Sequence, residues 1–288
     1  MRIAVHFGAT DQTADPGQVA YEAEVRGFDA IVFPEHTHMP VDHAAAPYSG
    51  TDERMVHYRR LYSPFIAMAW AASRTTTLKV GTCVSLPAQH DPIVLAKTLA
   101  SLDALSAGRI LYGFGFGWSE QEMRDHGVDP ARRRATVREK MLAVKALWTE
   151  EESSFRGEFV DFGPSWSWPK PPGGARVPIL LGAKGTDKVF DHVVEYCDGW
   201  IPPIRGDVAG LTADIARLKA RAADAGRDPQ SLRVSVISPM RSVALFEGYR
   251  EAGVERVIIH LPFGDLDEVR RQLDEYAREF VAEFHQPG

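Results

Sequence analysis

The stretch Thr77-Leu78-Lys79-Val80-Gly81-Thr82-Cys83-Val84-Ser85-Leu86 leads into Asp91-Pro92. It then passes through a helix-like segment to Ala107-Gly108 and re-emerges as Arg109-Ile110-Leu111-Tyr112-Gly113-Phe114. The two flanking runs are short, apolar and partly β-branched, which predicts strands over 78–86 and 109–114. Between them, Asp91 ahead of Pro92 has the form of an N-cap followed by a proline at the first helical position, and Gly108 is a stop signal. Strand, helix and strand in this order make the repeating unit of a parallel sheet.

The same unit recurs on both sides. Toward the N-terminus, a strand over 2–7 precedes a helix from Pro16 to Arg26, with Asp15 as N-cap and Gly27 after its end. A strand over 30–33, a polar loop to about Tyr62 with four histidines, and a helix over 64–73 complete that side. Toward the C-terminus, a glycine-rich turn leads to a long helical stretch that is clearest over 131–148. Residues 150–177 form an irregular insert rich in aromatics and prolines, with a hairpin through Phe155 and Phe162. Strands over 178–181, 199–201, 232–237 and 256–260 then alternate with helices near 184–196, 207–225, 240–252 and 265–282. Eight strand–helix units with no linker between them predict one domain over 1–288, a (β/α)8 TIM barrel with an irregular insert between its fourth and fifth strands. An open doubly wound sheet is the alternative arrangement of the same elements.

A chain of 288 residues, 44% of them apolar, suffices for a large core. The net charge of −6 and the absence of basic runs argue against nucleic-acid and anionic-lipid partners. Two cysteines, Cys83 and Cys197, imply no disulfide framework and fit a reducing compartment. Residues 2–7 read as a strand rather than a signal peptide, and no apolar run approaches the roughly 18 residues that span a bilayer. The expectation is a soluble cytoplasmic protein acting on a small molecule.

In a barrel, function sits on the loops that follow the strands. The second strand is followed by Pro34-Glu35-His36-Thr37-His38, in which a carboxylate beside a histidine can position or protonate a polar ring. His36 and His38 also form an H-x-H pair of the kind some barrel hydrolases use for zinc. The fourth, fifth and sixth strand ends supply no His or Asp to complete such a set, so no metal is expected. Cys83, in the third strand, reads as a small buried apolar residue rather than a nucleophile. After the fourth strand, Gly113-Phe114-Gly115-Phe116-Gly117-Trp118 lets backbone approach a ligand, although Trp118 stands where a dinucleotide fingerprint has its third glycine. After the fifth strand, Gly182-Ala183-Lys184-Gly185 opens a helix and has the composition of a phosphate cradle. Trp148, Trp166, Trp168 and Trp200 are candidates for core or lid positions.

Taken in order, these segments resemble the luciferase-like monooxygenase superfamily. The resemblance rests on Gly27 through His36, Thr77 through Val84, Asp91-Pro92 through Ile110, Gly113–Trp118, Val177–Gly182 and Asp198-Gly199-Trp200. It is strongest over residues 1–205, and the pattern is most similar to the branch that depends on coenzyme F420, a deazaflavin. The resemblance implies hydride transfer between F420 and a small organic substrate. Glu35 and His36 would be the catalytic pair, with Glu35 where the branch usually has Asp. It implies a non-prolyl cis peptide at Cys83-Val84 behind the ring, a cofactor path along Gly115, Gly117 and Trp118, and phosphate contacts at Gly182, Ala183, Lys184 and Gly185. It also implies a homodimer, with apolar faces of the second and third helices as candidate contacts. An FMN-dependent monooxygenase of the same fold is the nearest alternative. A metal-dependent hydrolase using His36 and His38 and a non-catalytic ligand-binding barrel are the others.

Overall fold

The computed structural model describes residues 1–41, 53–172, 177–203, 206–238 and 240–284. The strands β1 (Arg2–His6), β2 (Ala30–Phe33), β3 (Lys79–Ser85) and β4 (Ile110–Gly115) pair in parallel, as predicted from the central strand–helix–strand unit. After β4 the chain leaves the sheet for an antiparallel hairpin, β5 (Ser153–Arg156) and β6 (Asp161–Ser165), in which Phe155 pairs with Phe162. It returns as β7 (Ile179–Gly182), β8 (Gly199–Ile201), β9 (Arg233–Ser238) and β10 (Arg256–His260). β10 pairs with β1 and closes the barrel in the order β1-β10-β9-β8-β7-β4-β3-β2.

Helices α1 (Pro16–Val25), α3 (Pro64–Ser73), α4 (Pro92–Leu105), α6 (Arg133–Thr149), α7 (Asp187–Tyr196), α8 (Val208–Asp224), α9 (Val243–Glu251) and α10 (Leu266–Tyr276) follow successive barrel strands. Their starts are fixed by the predicted chemistry. Asp15 accepts from the Gln18 amide, and Asp91 accepts from the amides of Ile93 and Val94. Helical turns continue beyond α10 to Phe284. Two short helices complete the set: α2 (Glu53–Tyr58), in a segment predicted as loop, and α5 (Glu120–Asp125), in the helical stretch predicted after the glycine-rich turn. Each spans under two turns, too few for a hydrophobic period to show. Residues 42–52 of the predicted polar loop and 173–176 of the insert lie outside the described residues.

Apolar side chains pack in two shells. Small and branched residues such as Ala4, Val32, Leu111, Leu180 and Ile258 fill the barrel lumen, and larger ones such as Phe7, Tyr112, Phe114, Phe190 and Trp200 fill the space between strands and helices. Trp148 is core as well, whereas Trp166 and Trp168 are exposed. At the N-terminal floor, the half-buried Asp29 takes the buried Arg256 at 2.6 Å and Lys79 at 3.0 Å. Burial pushes the Asp29 carboxyl up, but the two cations outweigh it and hold the group below its ordinary range. Charge is thus used at the floor for cohesion, while the opposite rim is left for a ligand. No helix among the described residues is long and apolar enough to cross a membrane.

Candidate functional site

At the C-terminal rim all eight barrel strands, or the residues just after them, border one cleft of about 460 Å³. One wall is the β3 bulge. The Cys83–Val84 peptide is cis, and the pairing of β3 with β4 shifts register between Thr82 and Ser85. Val84 turns its methyls toward the backbones of β4 and β7. A Cβ on Gly182 would stand 2.6 Å from Val84 Cγ1, and one on Gly115 would stand 3.0 Å from Val84 Cγ2. Only glycine at these two positions leaves Val84 its space, which is a stronger reason for them than rim crowding in general.

Glu35 supports this wall from below. Its Oε2 accepts from Ser85 Oγ and from the Leu86 amide, both at 2.7 Å, and its Oε1 lies 2.8 Å from His90 Nε2. Tyr112 Oη donates to Ser85 Oγ at 3.1 Å. Burial pushes the Glu35 carboxyl up, but His90, Ser85 and Leu86 together hold it below the usual carboxylate range. Both oxygens are taken up by partners, and the side chain anchors the bulge.

His36 forms the facing corner. Its Nδ1 lies 2.8 Å from Oε2 of Glu122 on α5, and the other oxygen of Glu122 accepts from the Thr37 amide at 3.1 Å. A carboxylate only accepts, so His36 carries its hydrogen on Nδ1 in this pair. Trp118 meets the ring edge-on at 5.3 Å and Tyr58 of α2 lies 5.1 Å away. Glu122 was not among the predicted site residues. The signal that could have found it is Ser119-x-x-Glu122, a capping-box spacing: Ser119 accepts from the Glu122 amide at 3.3 Å. His38 is turned away to Asp125 at 3.0 Å, and no three metal-ligating side chains gather among the described residues.

The remaining predicted residues divide. Gly115, Gly117 and Trp118 line the cleft, as do Gly182 and Ala183. Lys184 is exposed and does not line it, and Gly185 faces Asp214, whose Oδ2 would lie 2.6 Å from an added Cβ. The cations that do line the cleft are Arg133 and Arg134 at the start of α6, with Arg134 5.4 Å from the Phe116 ring. The expected phosphate turn is therefore split, with Gly182 and Ala183 lining the cleft and Lys184 and Gly185 outside it. Burial pushes the Cys83 thiol up to about 12, so at neutral pH it is no nucleophile. His6 and His260, at the ends of β1 and β10, complete the rim.

These features define a (β/α)8 barrel with a cleft at its C-terminal mouth. The chain matches the family model for luciferase-like monooxygenases over residues 3–286. It belongs to that family. It is 40% identical over 284 residues to an uncharacterized protein of Mycobacterium tuberculosis, a match covering 95% of this chain and 98% of that one. It is 26% identical over 188 residues to the F420-dependent glucose-6-phosphate dehydrogenase of Kineococcus radiotolerans, covering 63% of this chain and 52% of that one. A monooxygenase from Streptomyces bottropensis has the same fold, with a TM-score of 0.76 and 18% identity over 99% of this chain and 100% of that one.

Proposed function

We propose that this chain is an oxidoreductase that holds coenzyme F420 in the rim cleft and transfers a hydride to or from a small organic substrate. The observation that carries the reading is the slot between the Cys83–Val84 bulge and His36. It has an apolar wall of backbone and Val84, with Val84 seated against Gly115 and Gly182, and polar groups at its edge. A flat ring system with a polar rim and an anionic tail matches such a donor set, and Arg133 and Arg134 are the charges a phosphate tail would meet.

A bound deazaflavin supplies a carbon centre that accepts or gives a hydride, and the protein's part is orientation, electrostatics and exclusion of water. Val84 and the Gly115–Gly117 backbone would support one ring face. His36, oriented by Glu122, would hold or move a proton at Nε2. Glu35 keeps the supporting bulge in place. Trp118 and Tyr58 restrict access of water to His36. The F420 reading is supported by the named activity of the Kineococcus relative. FMN-dependent monooxygenation is the second reading, and the family's description as monooxygenases supports its oxygenating part. The apolar groups Ile66 and Trp70 on α3 and Ile93 and Val94 on α4 are exposed, which supports a homodimer through these helices.

Titrating the protein separately with F420 and FMN, and following cofactor fluorescence, tests the reading. Saturable F420 binding much tighter than FMN binding is expected. Tighter FMN binding transfers the site to the second reading, and binding of neither removes both.

A further inference from the structure

The barrel order places β1 and β10 directly across the lumen from β7 and β4. The wall that faces Gly115 and Gly182 is therefore made by the last residues of β1 and β10, His6 and His260. These two residues are in register with each other, and both line the cleft. Their rings meet at 62° with centroids 4.4 Å apart, and their Nδ1 atoms are 3.1 Å apart. Nitrogens at that distance share one hydrogen, one donating and the other offering its lone pair.

The two rings are in unequal surroundings. His6 is buried, whereas His260 is exposed at the cleft surface. Burial, then the charge of His260, holds the His6 imidazole well below its ordinary range. His6 is therefore the ring of the pair that is harder to charge. When His260 is protonated, both of its nitrogens carry hydrogen, so its Nδ1 must donate to the lone pair on His6 Nδ1. The hydrogen of His6 is then on Nε2, and the Cys83 backbone is a further hydrogen-bond partner of the ring. Tyr276 Oη donates to the His260 carbonyl at 3.0 Å and fixes the strand end. The other titratable groups lining the cleft are Glu35, His36, Tyr58, Cys83, Arg133 and Arg134. Glu35 and His36 are already committed to His90 and Glu122.

We propose that His6 and His260 act as one acid–base pair for the oxygen of an alcohol or carbonyl substrate, with His260 exchanging the proton at Nε2 and His6 positioning the ring that carries it. The proposal rests on the oxidoreductase reading above and names its substrate class. A ring supported on the Val84 wall would present its other face to this wall. In the reducing direction the substrate carbon gains the hydride carried by the reduced cofactor. The C=O π bond opens, and the oxygen takes the proton from His260 Nε2. His260 is left neutral and regains its proton from water. In the oxidising direction each transfer runs in reverse. His260 is the catalytic residue here and His6 a positioning residue.

The test uses the full chain with 15N-labelled histidine rings, titrated by NMR between about pH 5 and 9, where an unperturbed imidazole titrates. One proton is expected to enter the pair, at His260, while His6 stays neutral. In His6→Leu the titration of His260 should fall by about one to two pH units, the size of a lost charge-assisted hydrogen bond. In His6→Gln, whose side-chain oxygen can still accept, it should return most of the way. Two independent, ordinary curves, or a His260 titration unmoved in His6→Leu, overturn the pair.

With F420 and a panel of short ketones and secondary alcohols, His260→Gln should lower kcat by about 10²–10⁴ with KM little changed. The pH dependence of the residual rate should lose its His260 limb. Wild-type turnover left intact by His260→Gln overturns the assignment to substrate oxygen. Failure of the oxidoreductase reading would appear instead as absent cofactor binding in the fluorescence titration, with the NMR titration untouched.

Discussion

Gly182→Ala tests the geometry of the cleft wall. The new methyl would lie 2.6 Å from Val84 Cγ1 and 3.3 Å from the Phe114 carbonyl oxygen. Ordinary carbon–carbon contact is about 3.5–4.0 Å, so Val84 must retreat by about an ångström. Val84 has little room for that, because its other methyl would be only 3.0 Å from a Cβ on Gly115. Overpacking of this kind costs about 1–3 kcal/mol, against a gain of about 0.4–1 kcal/mol from the stiffer unfolded chain. The net expectation is a loss of about 1–2 kcal/mol, read as a lower midpoint in urea with unchanged slope. F420 affinity should fall with it, since the displaced Val84 moves into the slot. The double variant Gly182→Ala/Val84→Ala removes both clashing methyls. It should be more stable than the two single effects added together, a coupling of at least about 0.5 kcal/mol. If Gly182→Ala matches the wild type in both midpoint and affinity, or the two changes are additive, Val84 is not held as described.

His36→Ala should lower kcat by about 10²–10⁴ and Glu122→Gln by about 10–100-fold, both with F420 affinity retained; equal rates in either variant remove the Glu122–His36 pair from the chemistry. Asp29→Ala leaves Arg256 buried without its partner and should cost about 3–5 kcal/mol by urea unfolding, with cofactor affinity unchanged in whatever folds. The pH dependence follows from sign. The folded-state pKa values of Asp29 and Glu35 lie below their unfolded values. Their contribution is complete above the ordinary carboxylate range, roughly pH 4, and is lost as pH falls through the folded-state values. Unfolding midpoints measured down through this range should decline in the wild type and decline less in Asp29→Ala. Glu35→Ala should release the β3 bulge and weaken F420 binding at least tenfold, whereas a purely acid–base role for Glu35 would leave binding intact.

The barrel was legible because its signals are local. Asp15-Pro16, Asp91-Pro92, the β-branched runs and the Phe155–Phe162 hairpin each depend on neighbours in sequence, and their repetition defines the topology. The rim residues were legible as positions, since the end of each strand marks where a barrel puts its ligand. Their partners were not. His36 finds Glu122 86 positions away on a helix of six residues, and His6 finds His260 254 positions away. Glu35 sits beside His36 in sequence, but successive residues leave a strand on opposite sides. One turns toward Ser85 and His90 and the other toward α5. Lys184 fitted a phosphate cradle by composition, yet the cations that reach the cleft are Arg133 and Arg134, one helix earlier in the chain. Composition ranks residue types, whereas which side chain reaches a cleft depends on three-dimensional packing.

A crystal structure of the protein soaked with F420 bears most directly on the central claim. The deazaflavin ring should lie against Val84 and the Gly115–Gly117 backbone, with His36 at its edge, its phosphate toward Arg133 and Arg134, and its open face toward His260. Ring density anywhere else, or a cleft left to solvent at saturating F420, would contradict the account.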